Sequence, residues 1–197
     1  MTARITRRGA LGLAAAIIAA GAIAAVVVAL AFPGGASFPR LVPRAAPPAW
    51  RQVMLPNGSA VLSYPPSLHR VQSDEDAASV ARVSPAGAYL TYLNITPRQG
   101  AETLGNWATF RVNRLREDDA SSAHEVSAAQ GVRFRGGTGS CVMDDYITRI
   151  GAHHYEEIAC LAQGRTGASV IIAAALASQW AAARPMLEQA VAAYVLR

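Results

Sequence analysis

The stretch Ser140–Ala162, SCVMDDYITRIGAHHYEEIACLA, decides the fold of this chain. Two runs of strand-forming residues flank a turn signal at Ile150-Gly151, which predicts an antiparallel β-hairpin. A turn at that position sets Cys141 directly opposite Cys160 on the neighbouring strand. Facing residues of a non-hydrogen-bonded pair have the Cα separation that a disulfide requires.

Cys141 and Cys160 are the only two cysteines of the chain. In an exported domain two cysteines most simply form one disulfide, so the sequence predicts this bond. By loop length it should contribute about 3 kcal/mol. The alternative is a pair of buried free thiols. A catalytic thiol is disfavoured further, because nucleophilic catalysis needs a free cysteine.

The same hairpin carries a cluster of acidic residues and histidines. In the predicted register Asp144 faces Glu157 and Asp145 faces Glu156, and facing like charges are unfavourable unless an arginine, a cation or solvent relieves them. One hypothesis is therefore a divalent-metal site for Zn²⁺, Mn²⁺ or Ca²⁺. The candidate ligands are Asp144, Asp145, His153, His154, Glu156 and Glu157.

The alternative hypothesis for this cluster is a solvated surface near the end of the hairpin, screened by Arg149 or Arg165. Adjacent residues of a strand point to opposite faces of the sheet. His153 and His154 therefore cannot ligate one ion without a bulge. This geometry favours the solvated surface over the metal site.

Outside the hairpin, alternating apolar residues separated by turn signals predict further strands. The turns are PNG at 56–58 and SPAG at 84–87. The glycine-rich stretch 136–140 lacks the lysine of a phosphate-binding loop and precedes a strand, so it predicts a flexible turn. The remaining predicted strands are Gln52–Leu55, Ala60–Tyr64, Ala78–Val83, Ala88–Ile95, Val132–Arg135 and Ala168–Ala175.

Two helices are predicted between and after these strands. Apolar residues at helical spacing indicate one helix over Ala101–Glu117. A second starts at Ser178, a suitable N-cap, and contains Pro185, which should kink or restart it. Strands and helices in this order predict an α+β domain, an antiparallel sheet covered by helices.

Four short motifs mark the two ends of this globular region. They are LPNG at 55–58, LSYP at 62–65, ASQW at 177–180 and AAYV at 192–195. Their order resembles the PsbP-like fold, a family that includes photosynthetic PsbP subunits and exported LpqN lipoproteins, over about residues 50–197. The resemblance implies a layered α+β sandwich and a noncatalytic accessory or binding role.

The N-terminal region is dominated by an uncharged apolar segment, Ala10–Phe32. At about 1.5 Å per residue it is long enough to cross a hydrocarbon core of about 30 Å. Arginines precede it, which predicts that residues 1–9 stay in the cytoplasm. We therefore expect a single-pass anchor in the plasma membrane, a Pro/Gly/Ala-rich tether over 33–50, and an extracytoplasmic domain over 51–197.

The alternative is a signal peptide that is cleaved, leaving a secreted protein. Ala29-Leu30-Ala31 has the small-x-small spacing of a cleavage site, and Thr6-Arg7-Arg8 partly matches a twin-arginine signal. The length of the apolar segment exceeds that of an ordinary signal peptide and favours the anchor. No cysteine ends the segment, so a lipoprotein anchor is excluded.

The net charge of +5 does not indicate a nucleic-acid partner. Three of the arginines precede the apolar segment, and the others form no basic stripe interleaved with aromatic residues. No motif points to a cofactor. We therefore expect a noncatalytic accessory or binding module of the bacterial envelope, with the membrane and an envelope component as partners. A metal-dependent enzyme using the hairpin cluster is the alternative.

Overall fold

The computed structural model describes residues 37–197, which form ten strands and two helices. The elements are β1 (Arg51–Met54), β2 (Ala60–Tyr64), β3 (His69–Val71), β4 (Ala78–Val83), β5 (Tyr89–Pro97), α1 (Trp107–Asp118), β6 (Ala120–Phe134), β7 (Gly137–Thr148), β8 (His154–Gln163), β9 (Ala168–Leu176), α2 (Ala177–Ala192) and β10 (Val195–Leu196).

The strands form two antiparallel sheets. The large sheet has the strand order β3-β4-β5-β9-β8-β7-β6, and the small sheet has the order β1-β2-β10. The predicted α+β architecture is thus confirmed.

The large sheet has an apolar core on each face. On one face it packs against α2 and the small sheet, through buried side chains that include Leu62, Ile158 and Leu187. On the other face α1 covers part of the sheet, where Trp107 packs on Val142 and its neighbours. The side chains of β7 and β8 therefore alternate between two buried environments, as the pleat of a strand requires.

The hairpin formed by β7 and β8 has the register that the sequence predicts. Cys141 pairs with Cys160, Asp144 with Glu157, and Asp145 with Glu156. The disulfide between Cys141 and Cys160 is present, and its two side chains are buried in the core under α2. The bond therefore joins two adjacent interior strands, β7 and β8, on the face of the sheet that α2 covers.

Helix α1 begins at Trp107 instead of Ala101. The residues before it form a turn closed by two reciprocal hydrogen bonds: Thr103 N–H donates to Asn106 Oδ1 at 2.7 Å, and Asn106 N–H donates to Thr103 Oγ1 at 3.2 Å. Side chains of this kind compete with the helix for backbone donors and favour turns. The first turn of the predicted helix is consequently a loop.

Strand β6 is much longer than the predicted strand Val132–Arg135. It begins at Ala120 and pairs with β7 through three register shifts, and Gly131 within it has φ +67°. Much of the strand is exposed along one edge of the sheet. Bulges and polar residues are typical of edge strands, and they remove the regular alternation by which a strand is recognised in sequence.

The glycine-rich stretch 136–140 is not a flexible turn. Gly136, with φ +91°, forms the tight turn from β6, and β7 starts at the next residue. A Cβ on Gly139 would lie 2.5 Å from Leu161 O and 2.8 Å from the ring of Phe134. Glycine is required here because another strand approaches closely, not because the chain needs freedom.

The part of the predicted tether that the structure describes lies against the domain. Phe38, Leu41 and Trp50 pack at the edge of the core under α2. The N–H of Arg44 donates to the carbonyl of Ala192 at 3.0 Å. Residues 38–50 are thus irregular in backbone structure, as expected for a Pro-rich segment, yet attached to the end of α2.

Helix α2 runs from Ala177 to Ala192 without interruption, although Pro185 lies inside it. The restart that the sequence allowed at this proline is absent. Neither helix within residues 37–197 is long and apolar enough to cross a membrane. The predicted anchor, Ala10–Phe32, and the predicted cytoplasmic residues 1–9 lie outside the described residues.

Candidate functional site

The six polar residues predicted as one cluster are divided between the two faces of the hairpin. Asp144 and Glu157 point toward α1, whereas Asp145 and His154 lie on the opposite face, with His154 Nε2 3.2 Å from Asp145 Oδ2. Glu156 belongs to that second face, and His153 lies in the turn. Within residues 37–197 no group of three or more His, Cys, Asp or Glu side chains is placed to hold a metal ion.

Asp144 and Glu157 are buried, with 1% and 0% of their surface exposed. The interpretation of the cluster as a solvated surface is therefore wrong for this pair, because α1 covers it. Arg111, on α1, relieves the facing charges: its Nε donates to Glu157 Oε1 at 2.7 Å and its Nη2 to Glu157 Oε2 at 3.0 Å. The compensating arginine comes from the helix, not from Arg149 or Arg165 as expected.

A signal for Arg111 is present in the sequence. Trp107, Arg111 and Leu115 are spaced four residues apart and lie on one face of α1. Trp107 and Leu115 are both buried, so the arginine between them must also face the sheet. An arginine in the middle of an apolar helix face requires a buried acid opposite it.

The pKa values of Arg111 and Asp144 are both raised, but for different physical reasons. Burial alone would lower the pKa of Arg111, but the charge and hydrogen bonds of Glu157 raise it. Burial, and then the charge of Glu157, raise the pKa of Asp144 well above its ordinary value, and Arg111 offsets this only in part. Within the described residues no donor reaches either oxygen of Asp144, and a hydrogen bond with Glu157 further raises its pKa. Arg111 and Glu157 thus form the ion pair, and Asp144 retains its proton to higher pH.

A half-open cleft of about 560 Å³ lies beside this buried ion pair. Its walls are α1, strands β5 and β9, and the loop that precedes α1. A volume of this size is within the range of small-molecule binding sites. Arg111 belongs to the lining, so the ion pair fixes the position of one wall of the cleft against the sheet.

The sheet side of the cleft carries a chain of polar groups. Asn94 Nδ2 donates to Ser79 Oγ at 2.9 Å, and Ser79 Oγ is 3.1 Å from the hydroxyl oxygen of Tyr92. Burial raises the pKa of Tyr92 despite the opposing effect of its bond to Ser79. These groups are held in place by one another, which suits them to recognising a ligand. The raised pKa of Tyr92 keeps its phenol protonated.

Comparison with known proteins identifies the fold. No protein-family model matches the chain, and neither does any curated protein. The solution structure of cyanobacterial PsbP (CyanoP) from Synechocystis sp. PCC 6803 is similar, with a TM-score of 0.51 and 12% identity over 76% of this chain and 93% of that one. The crystal structure of LpqN, involved in cell envelope biogenesis of Mycobacterium tuberculosis, matches at a TM-score of 0.41 and 10% identity, over 75% and 90% of the two chains. The predicted PsbP-like resemblance is confirmed as a likeness of fold.

Proposed function

We propose that this protein is a membrane-anchored, extracytoplasmic accessory module of the bacterial cell envelope, which binds a ligand or partner without catalysing a reaction. The observation that carries the proposal is the buried disulfide between Cys141 on β7 and Cys160 on β8. Disulfides persist in oxidising compartments and are rare in the cytosol. The bond therefore supports an extracytoplasmic location for the domain.

The N-terminal sequence supplies the proposed route to that location. Ala10–Phe32 is uncharged and follows Arg7 and Arg8, a pattern typical of a segment that stays in the membrane with its N-terminus in the cytoplasm. Residues 33–50 then lead from the membrane surface to the first strand. The proposed topology is a single pass in the plasma membrane, with the domain outside.

The cleft beside α1 is the proposed binding surface. Its volume suits a small ligand, and several of its polar groups are held in fixed hydrogen bonds, as Asn94 is, or in the ion pair between Arg111 and Glu157. Groups held in this way are preorganised for binding. The accessory role implied by the PsbP-like likeness is consistent with such a site, although the likeness itself concerns the fold.

Protease access in spheroplasts tests this topology. The full chain carries a C-terminal epitope tag and is expressed in bacterial cells, next to a matched chain that lacks residues 1–32. The proposal predicts that the full chain remains in the membrane fraction and that external protease removes its tag. The tag of the shortened chain should be degraded only after lysis. A full-length tag protected until lysis would contradict the proposal.

The mass of the mature N-terminus distinguishes the anchor from a cleaved signal. An intact N-terminal segment supports the anchored form. Cleavage near Ala31, with release of the domain into the medium, would instead show a secreted protein.

A further inference from the structure

One end of the cleft carries a carboxylate with an unused oxygen. Glu102 lines the cleft and is only 4% exposed. Its Oε1 accepts a hydrogen bond from the N–H of Gln99 at 2.8 Å, whereas its Oε2 has no partner within residues 37–197. A buried acceptor without a donor destabilises the folded state, because it has lost its hydrogen bond to water. A ligand that donates a hydrogen bond to Oε2 recovers this energy.

Gly100 lies beside that oxygen and lines the cleft with it. A Cβ at this position would lie 3.0 Å from Glu102 Oε2 and 3.8 Å from Cζ of Phe110. Gly100 has no positive φ, so its backbone conformation does not require glycine. Any side chain at this position would therefore crowd the carboxylate, whose unpartnered oxygen lies near the tip of an aromatic ring.

Aromatic side chains form much of the adjoining wall. Phe110 stacks on Trp107 with ring centroids 6.2 Å apart, and the indole N–H of Trp107 is used in a bond to Ala159 O at 2.9 Å. Tyr92 lies on the sheet side of the same cleft. Faces of aromatic rings attract cations within about 6 Å. Phe110 thus places an aromatic ring beside the carboxylate of Glu102.

The charged side chains that line the cleft also favour a cationic ligand. Arg111 is neutralised by Glu157, and Arg114 is paired with Asp118 at 2.6 Å. Asp74, Glu102 and Asp119 also line the cleft. Within the described residues none of these three belongs to an ion pair, and Arg98, on the same loop, is exposed and outside the lining. The cleft is therefore anionic once its two arginines are paired.

We infer that this cleft binds a small organic amine, whose primary ammonium group donates to Glu102 Oε2 beside Gly100 and lies against the ring of Phe110. The inference rests on the proposed function and gives its ligand a chemical class. A quaternary ammonium has no N–H to donate, and an anion would meet unpaired carboxylates. A metal ion would need several protein ligands, and no suitable group of three lies in residues 37–197.

Phenethylamine is a suitable probe, and 2-phenylethanol is its neutral counterpart of nearly equal shape. Each is titrated into the full chain in detergent. Binding is followed by ¹H–¹⁵N chemical shifts at neutral pH. Phenethylamine should shift the amide signals of Gly100, Glu102 and Phe110. It should bind at least tenfold more tightly than 2-phenylethanol.

Three variants make the test specific. Glu102→Gln keeps the acceptor for Gln99 but removes the charge, and should weaken phenethylamine binding at least tenfold. Gly100→Ala keeps every charge and places a methyl group against Glu102 Oε2, and should weaken binding by a similar factor. Glu75→Gln makes the same charge change at an exposed residue outside the cleft, and should leave the affinity within twofold.

The outcomes separate this inference from the proposal on which it rests. Equal binding of both probes, or binding unaffected by Glu102→Gln, overturns the ammonium assignment and still supports a ligand cleft. Failure of both probes to shift the cleft signals overturns the amine assignment and counts against the cleft as the binding surface. The topology of the anchored chain is measured separately by protease access.

Discussion

Arg111 and Glu157 lie 46 positions apart in the chain and form a bidentate ion pair, with Nε 2.7 Å from Oε1, at the contact between α1 and the sheet. Glu157 is fully buried, and the guanidinium is mostly covered. This pair joins the helix that forms one wall of the cleft to the strand beneath it. Its removal should therefore affect both stability and the shape of the cleft.

Arg111→Met should destabilise the domain by about 3–5 kcal/mol, because it leaves a buried carboxylate without its partner. Urea unfolding at neutral pH measures this loss. The matched control is Arg114→Met, which removes an exposed pair with Asp118 on the same helix. Surface pairs of this kind contribute about 0–1 kcal/mol. Similar losses in the two variants would show that the buried pair has no special role.

Asp144→Asn should stabilise the domain relative to the native chain as the pH rises. The raised pKa of Asp144 means that the folded state holds its proton above the pH at which the unfolded state releases it. Folding stability therefore falls as pH increases from about 4 toward the folded-state pKa. Asparagine carries no proton to lose and removes this dependence.

Urea unfolding at pH 4, 6 and 8 measures the effect of Asp144→Asn. The difference from the native chain should grow between pH 4 and pH 8, because the folded native chain resists losing the Asp144 proton over that range. Asp145→Asn, on the opposite face of the same strand, is the control for charge. A difference that stays constant with pH at position 144 would show that its carboxyl group titrates normally in the fold.

Cys141→Ala with Cys160→Ala should lower the free energy of unfolding by about 3 kcal/mol. The bond closes a loop with a sequence separation of 19, and constraining such a loop in the unfolded chain stabilises the native state by about that amount. Unfolding of the oxidised native chain, with and without reductant, provides the comparison. Equal stability of the reduced and oxidised forms would be inconsistent with this role.

Gly139→Ala should destabilise the hairpin strongly, because its Cβ would press on Leu161 O and Phe134. We expect a loss of about 2 kcal/mol or more, typical of overpacking. The control is Gly105→Ala, where the nearest atom to a Cβ is Thr103 Oγ1 at an ordinary 3.9 Å. Thermal unfolding of the two variants compares them. A Gly139→Ala variant as stable as Gly105→Ala would indicate that the strands move apart easily.

The hairpin formed by β7 and β8 could be predicted from local sequence. One turn at Ile150-Gly151 and a period of two along the flanking strands determine the pairing of Cys141 with Cys160 and of Asp144 with Glu157. Register follows from turn position, so a single correct turn places every residue of the hairpin. Edge strand β6 could not be predicted in the same way, because its bulges break the alternation.

The candidate site depends on tertiary contacts that no local pattern contains. The facing acids of the hairpin were visible in the sequence, but their burial depends on α1 crossing the sheet above them. Glu102 gives no sequence signal at all, since its role depends on the loop turn between Thr103 and Asn106 and on the lack of a side chain at Gly100. Long-range packing decides which polar residues become functional candidates.

We propose that the domain lies on the outer side of the membrane, and the thiol state of Cys141 and Cys160 in living cells reports this location. Cells expressing the full chain, or the chain without residues 1–32, are quenched with acid, denatured and treated with a maleimide of high mass, with or without prior reduction. Cys141 and Cys160 of the full chain should react only after reduction, because the disulfide forms outside the cytosol, whereas those of the shortened chain should react at once. Immediate labelling of both cysteines in the full chain would show that the domain stays in the cytosol.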